Sequence, residues 1–352
     1  MTNTARALLG AALSLGMAGG AIAQATAADC LPLADAAARL ACYDRLHGRV
    51  LPPPTPSVPA TETAAALRPL PEVAPAPKSP MPAGSLLALR WDLDAPRDEL
   101  FAPRAYKPVY LLPVTWTDHL NLRPTSPAPD HSEPADLELR ALETKYQLSL
   151  KAKLAHSVLG TPVSLWGGYT QSSRWQVYNG AASRPFRETN YEPELMVVWP
   201  MQGELLGWRM RMGSLSLNHQ SNGRSLPLSR SWNRIIGTLA LERGDWVAEL
   251  RPWVRIREGL RDDDNPDMAD HIGRGEVLLS RYREDHAFTL QLRHSLRAGA
   301  RSRGSAQLEW VFPLTGALHG YFQLFNGHGE SLVDYNLSQT KIGLGVTIAG
   351  WR

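Results

Sequence analysis

One feature limits the fold of this chain more than any other: from about Tyr106 onward, apolar and polar residues alternate in segments of 10 to 14 residues. Residues 246–257 show it best. Trp246, Ala248, Leu250, Pro252, Val254 and Ile256 share one parity, while Glu249, Arg251, Arg255 and Arg257 share the other. Successive side chains of a strand point to opposite faces, so one face is apolar and the other charged. A soluble sandwich also alternates, but its polar faces seldom carry so many charges per strand. A membrane barrel requires an apolar outer band and accepts a polar interior. Near the C-terminus, Ile342, Leu344, Val346 and Ile348 alternate with Lys341, Gly343, Gly345 and Thr347.

Segments of this kind lie near 105–117, 142–155, 162–175, 191–202, 205–221, 231–243, 245–257, 271–283, 286–297, 303–313, 318–327 and 338–351. That makes twelve, an even number, as a closed antiparallel bacterial barrel favours. The connections differ in length in the way a barrel requires. "ERGD" and "RED" are tight turns, whereas "NGRSLPLSR" and "EGLRDDDNPDMAD" are long. The expected fold is all-β, a twelve-stranded antiparallel transmembrane barrel over residues 85–352.

What precedes the barrel reads differently. Arg6 followed by an Ala/Leu/Gly run and small residues at Ala21 and Ala23 predicts a secretory signal over residues 1–23, with cleavage as late as 27. No later stretch is apolar for the roughly 18 residues a spanning helix needs. Residues 24–50 form a short helical segment, and in an oxidising compartment Cys30 and Cys42 are expected to pair across a helical hairpin. Residues 51–84, rich in Pro and Ala, predict an extended linker. The net charge of +3 comes from scattered, matched charges, which gives no basis for nucleic-acid binding. His271, His286, His294, His319 and His328 show no metal-ligand spacing. "RDDDNPDMAD" (261–270) lacks the glycine and terminal glutamate of an EF-hand and predicts a solvated exterior loop.

Parity gives one loop a chemical interest. In "NHQSNGRSLPLSRSWNR" (218–234), His219 and Ser221 share a face with Leu215 and Leu217, while Asn233 shares one with Ile235 and Leu239. All three polar residues therefore point toward lipid. His219 and Asn233 are equidistant from Leu226, so a symmetric hairpin places them opposite each other. Cross-strand Cβ atoms lie about 5 Å apart. A serine, a histidine and an amide so placed match a nucleophile, its base and the group that orients the base.

At these residues the sequence resembles the outer-membrane phospholipase A family. The resemblance runs through "YKPVYLLPVTWT" (106–117), "GYTQSSRWQ" (168–176), "PFRETNYEPEL" (185–195), "NHQSNGRS" with "SRSWNR" (218–234), "DDNPD" (263–267) and "GESLVDYN" (329–336). It implies a bacterial outer-membrane barrel that hydrolyses acyl esters of phospholipids to lysophospholipid and fatty acid, with A1 and A2 activity. By resemblance Ser221 is the nucleophile, His219 the base, Asn233 its orienter and the Gly223 amide the oxyanion donor. The family is calcium-dependent and active as a homodimer. On matching positions Arg224 and Ser229 would bind calcium from one subunit and Ser183 from the other, with Gln171 as a dimer contact. Leu226 departs from the family, where an aspartate near calcium is familiar. The alternatives are a non-catalytic pore or structural barrel, and an outer-membrane deacylase of lipopolysaccharide.

Overall fold

The computed structural model describes residues 30–47, 84–94, 99–259 and 262–349. The expected signal peptide, and the Pro/Ala-rich tract up to residue 83, lie outside the described residues. In the N-terminal unit a single helix, α1 (Ala36–Leu46), starts at Asp35, whose carboxylate accepts from the Ala38 amide at 2.8 Å. Cys30 and Cys42 form a disulfide with Cα atoms 5.7 Å apart. The described residues there hold one helix and not the expected helical pair: Pro32 precedes the cap, and the chain reaches Cys30 through a turn.

The second unit is a barrel. Its strands are β1 (Val109–Thr117), β2 (Leu142–Ala155), β3 (Ser164–Trp175), β4 (Phe186–Pro200), β5 (Trp208–Ser221) and β6 (Ser231–Arg243). They continue as β7 (Trp246–Ile256), β8 (Gly275–Arg283), β9 (His286–His294), β10 (Gly304–Thr315), β11 (Leu318–His328) and β12 (Ser338–Ala349). Each pairs antiparallel with its sequence neighbours, and β12 pairs with β1, for example Ile342 with Trp116, so the sheet closes. Two further two-residue strands attach to β2 and β5 without joining the ring. Closure satisfies every strand edge, which an open sheet in lipid could not do.

The alternation read from the sequence sorts the two faces. Leu215 and Leu217 on β5 are 51% and 54% exposed, while Ser214, Ser216 and Asn218 between them are buried. On β7, Leu250 and Val254 face out, and Glu249 and Arg251 are buried inside. Paired charges line the interior. Glu330 receives Lys145 at 2.8 Å, Arg174 at 3.0 Å and Lys341 at 3.0 Å, and Arg187 bridges Glu143 and Asp334. Such ions are tolerable away from water because each has an opposite partner.

Apolar clusters close both ends of this charged interior. At the short-turn end the helix α2 (Leu86–Trp91), capped by Ser85, buries Leu87 and Trp91 against Trp166, Met196 and Met212. Its Leu87 amide donates to Glu242 at 2.8 Å, and Lys151 Nζ sits 3.1 Å from the Trp91 ring centroid. At the long-loop end Trp232, Ile236, Trp253, Met268, Ile272, Leu332 and Tyr335 pack together.

Three expected strands start four or more residues from their expected bounds; the first begins at Val109 and not at 105, since Arg104–Ala105 pairs separately with β2. β4 begins at Phe186, five residues before the expected start, because it continues the ladder to Trp175 on β3. The strand expected from residue 271 begins at Gly275, since Met268–His271 forms a helical turn that buries Met268 in the loop-end cluster.

Candidate active site

The hairpin of β5 and β6 carries the three outward polar residues. Its register pairs His219 with Asn233 and Ser221 with Ser231, as the loop symmetry requires. His219 Nδ1 and Asn233 Oδ1 are 2.8 Å apart. Ser221 lies two residues along the same face, where the strand spacing is about 7 Å. Among the described residues no hydrogen bond joins Ser221 to His219. Contacts of this kind often tighten only once substrate is bound.

The loop between these strands is braced from inside. Asn222 is buried; its amide oxygen accepts from the Arg224 and Arg230 amides at 3.2 and 3.0 Å. Its amide nitrogen donates to the Leu228 carbonyl at 2.8 Å and to Glu188 at 3.2 Å. Gly223 adopts φ +61°, and a Cβ there would lie 3.1 Å from the Tyr191 ring, so both backbone and space favour glycine. Leu226 sits at the exposed tip, at 56%. Ser183 lies exposed in the loop between β3 and β4, at φ +59°. A cleft lined by Ala182, Arg187, Arg224 and Leu228 joins that loop to the hairpin.

The acidic loop after β7 is a structural support and not the freely solvated loop expected. Asn265 is fully buried, and its side chain pairs with the Ser231 backbone, accepting at 3.0 Å and donating at 2.9 Å. Asp264 accepts from Ser229 Oγ at 2.7 Å and lies 3.0 Å from His131 Nε2. Asp263 pairs with Arg255 at 2.6 Å. Burial opposes ionisation of Asp267, but hydrogen bonds from His271 and Tyr335 outweigh it and lower its pKa.

A carboxylate also stands behind the amide. Asn233 Nδ2 donates to Glu258 Oε1 at 2.7 Å. Burial raises the Glu258 pKa, against the pull of Arg255 and the Asn233 hydrogen bond. Sequence reasoning placed a neutral amide as the last member of this chain. Glu258 lies beyond the strand, where parity gives no direction, and Asn222 reads as an ordinary turn residue. Neither could be singled out from pattern alone.

Gln171 faces outward beside Leu148 and Tyr191, its register partners, and accepts from the Tyr169 hydroxyl at 3.3 Å. Tyr191 in turn pairs with Ser221. Gln171, Tyr191, Ser221 and Ser231 thus form one row across four strands of the outer wall.

A closed barrel with an apolar exterior and paired charges inside has the architecture of an outer-membrane barrel. Residues 87–348 match the family of phospholipase A1. A relative in Neisseria meningitidis serogroup B is 37% identical over 348 residues, 91% of this chain and 90% of that protein. The outer-membrane phospholipase A of Escherichia coli superposes with a TM-score of 0.64 at 34% identity, covering 73% of this chain and 95% of that one. A Salmonella typhi outer-membrane phospholipase, solved as a dimer with bound calcium, gives the same score and identity over 73% of this chain and 96% of that one. The chain belongs to the phospholipase A1 family, an outer-membrane enzyme family of phospholipid hydrolysis.

Proposed function

We propose that this enzyme cleaves acyl esters through Ser221, His219 and Asn233, with calcium and dimerisation completing the site. The observation that carries the reading is the 2.8 Å contact of His219 with Asn233 on the outer wall, with Ser221 on the same face. An asparagine-to-alanine variant of the E. coli enzyme is an active-site mutant, in keeping with this role for an amide.

Ser221 Oγ attacks the ester carbonyl carbon while His219 Nε2 takes its proton. Asn233 Oδ1 accepts from Nδ1–H, which keeps Nε2 free as the base and steadies the imidazolium. The Gly223 amide donates to the developing oxyanion. Collapse of the tetrahedral adduct breaks the ester bond, and His219 returns the proton to the departing lysophospholipid oxygen. Water then attacks the acyl-enzyme, gives its proton to His219, and fatty acid leaves as Ser221 is reprotonated.

The oxygen donors fit a hard cation. Arg224 and Ser229 would offer carbonyls from a loop that Asn222 holds, and Ser183 of a second copy would add its oxygen. Arg230 already donates to the Ser229 carbonyl at 2.7 Å, so one lone pair of that oxygen is engaged. Bound there, calcium would supply positive charge beside the oxyanion. The row from Ser221 to Gln171 spans two interstrand steps, about 10 Å, so a dimer centred on Gln171 would lie beside the nucleophile. An outward amide in lipid needs such a partner. The mature protein, in this reading, is the chain after signal removal: a disulfide-stapled segment, a linker and the barrel.

Purified barrel in detergent with calcium is expected to release fatty acid from a diacyl phospholipid, and Ser221→Ala to abolish it. Retention of most activity by that variant would remove Ser221 as nucleophile. The pore alternative is disfavoured by the apolar clusters at both ends of the interior.

A further inference from the structure

We propose that Glu258 is a positioning residue of this site, fixing the orientation of the Asn233 amide and through it the tautomer of His219. The inference rests on reading Ser221, His219 and Asn233 as the reaction centre.

Asn233 sits between two groups, with His219 Nδ1 2.8 Å from its oxygen and Glu258 Oε1 2.7 Å from its nitrogen. An ionised carboxylate only accepts hydrogen bonds. It must therefore face the amide NH2, which turns the amide oxygen toward His219. That oxygen requires a proton on Nδ1, leaving Nε2 as the base. If the amide turned over, its NH2 would face Nδ1, the proton would move to Nε2, and the ring would be the wrong tautomer to accept from Ser221. The same carboxylate polarises the amide, so its oxygen holds an imidazolium better than an isolated asparagine would. Charge-assisted hydrogen bonds of this type are roughly twice as strong as neutral ones.

Glu258 is itself held in place. It lies just beyond β7 with a side chain 20% exposed, and its Oε2 stands 3.6 Å from Arg255 Nη2. That second oxygen is buried and makes no hydrogen bond among the described residues, so the bond to Asn233 is the carboxylate's directional contact. Arg255 from β7, Asp263 and Asp264 from the following loop, and Asn233 from β6 are the groups acting on it. The two aspartates push its proton affinity up and Arg255 draws it down.

The test uses the full barrel in detergent with calcium and a diacyl phospholipid in mixed micelles. Glu258→Ala is expected to lower kcat by roughly tenfold or more, a part of what a general base contributes, with KM held within about twofold. Glu258→Gln, which keeps the shape, guards against misfolding and should fall between the two. The decisive arm exchanges the charge. Asn233→Asp alone sets two carboxylates against each other; Glu258→Gln added to it supplies an amide donor and restores an acceptor toward His219. The double variant is expected to exceed Asn233→Asp by roughly tenfold, a rescue that a merely structural role would not produce. Full kcat in Glu258→Ala, or no rescue in the double variant, overturns the proposal. His219→Ala run alongside separates the two levels. If it is silent while Glu258→Ala is fully active, only the role of Glu258 fails; if His219→Ala is active, the reaction centre is misplaced.

Discussion

Asn222→Ala tests whether the loop that follows Ser221 is held by one side chain. The substitution removes four hydrogen bonds: two accepted from the Arg224 and Arg230 amides and two donated to Leu228 and Glu188. They do not weigh equally. Glu188 Oε1 keeps the Val333 amide at 2.8 Å, and the Arg224 amide lies next to exposed residues where water can replace the lost oxygen. The Arg230 amide and the Leu228 carbonyl belong to buried residues and lose their partner inside the protein. At about 1 to 1.5 kcal/mol for each of these two, the closed loop loses roughly 2 to 3 kcal/mol. This is a local equilibrium, since the ladders of β5 and β6 do not depend on Asn222, so the barrel itself should stay folded.

If the closed loop presents the Arg224 and Ser229 carbonyls to calcium, opening it lowers the competent fraction and hence apparent affinity. A loss of 2 to 3 kcal/mol corresponds to a ceiling of about 30- to 150-fold, and a loop that was not fully open in the variant would show about tenfold. The assay is fatty-acid release as a function of calcium, with heat-dependent gel mobility as the check on barrel folding. The expected outcome is a rightward shift of the calcium midpoint by about tenfold or more, with kcat largely recovered at saturation. An unchanged midpoint with a reduced kcat would refute the reasoning, because it would place Asn222 in the chemistry and not in loop closure.

Two other substitutions probe different parts. Leu226→Asp places a carboxylate at the exposed loop tip, and is expected to shift the calcium midpoint of activity several-fold lower, about 1 kcal/mol, with less effect at high salt. No change in a calcium titration would separate the tip from the metal. Glu330→Gln removes the carboxylate from Lys145 and Arg174, while Lys341 keeps Glu143 at 2.8 Å, and is expected to destabilise the barrel by about 3 to 5 kcal/mol in urea-induced unfolding in micelles. Burial alone would raise the Glu330 pKa, but the surrounding cations hold it well below the usual carboxylate range. Its stabilisation is thus present above the unfolded-state value and is lost only as pH falls through the lower folded-state value. The gap between wild type and Glu330→Gln should persist at mildly acidic pH and close under strong acid. A gap that closed near pH 6 would contradict the assignment.

What could be read from the sequence followed from strand period. A period of two places every second residue, so the lipid face of β5, the charged interior of β7 and the outward direction of His219, Ser221 and Asn233 were all legible. So was the pairing of His219 with Asn233, because a nearly symmetric hairpin fixes register from its midpoint. The support of the site was not legible. Asn265 and Asp264 reach β6 from a loop some thirty residues away, and nothing in an acidic run distinguishes residues bound to a neighbouring backbone from residues bound to water. Glu258 lies beyond the point where alternation ends. Met268–His271 turns helical to bury Met268 in the loop-end cluster, a tertiary demand that overrode the strand expected from residue 271.

The two faces of the barrel divide the work. Inside, paired ions and apolar clusters at both ends make a rigid wall, and its loop-end cluster includes Trp232, directly beside Asn233. Outside, the same strands expose leucines around the β5–β6 hairpin, which suits acyl chains but leaves its polar residues poorly enclosed. A soluble hydrolase buries its base and orienter in one chain; this wall has only one side. In the proposed dimer a second barrel supplies the missing side, and the row from Ser221 through Tyr191 to Gln171 is where the outward amide would meet it. In the proposed dimer, enclosure of Ser221 and association of two copies would be one event, so activity should depend on protein concentration in the membrane more steeply than on substrate.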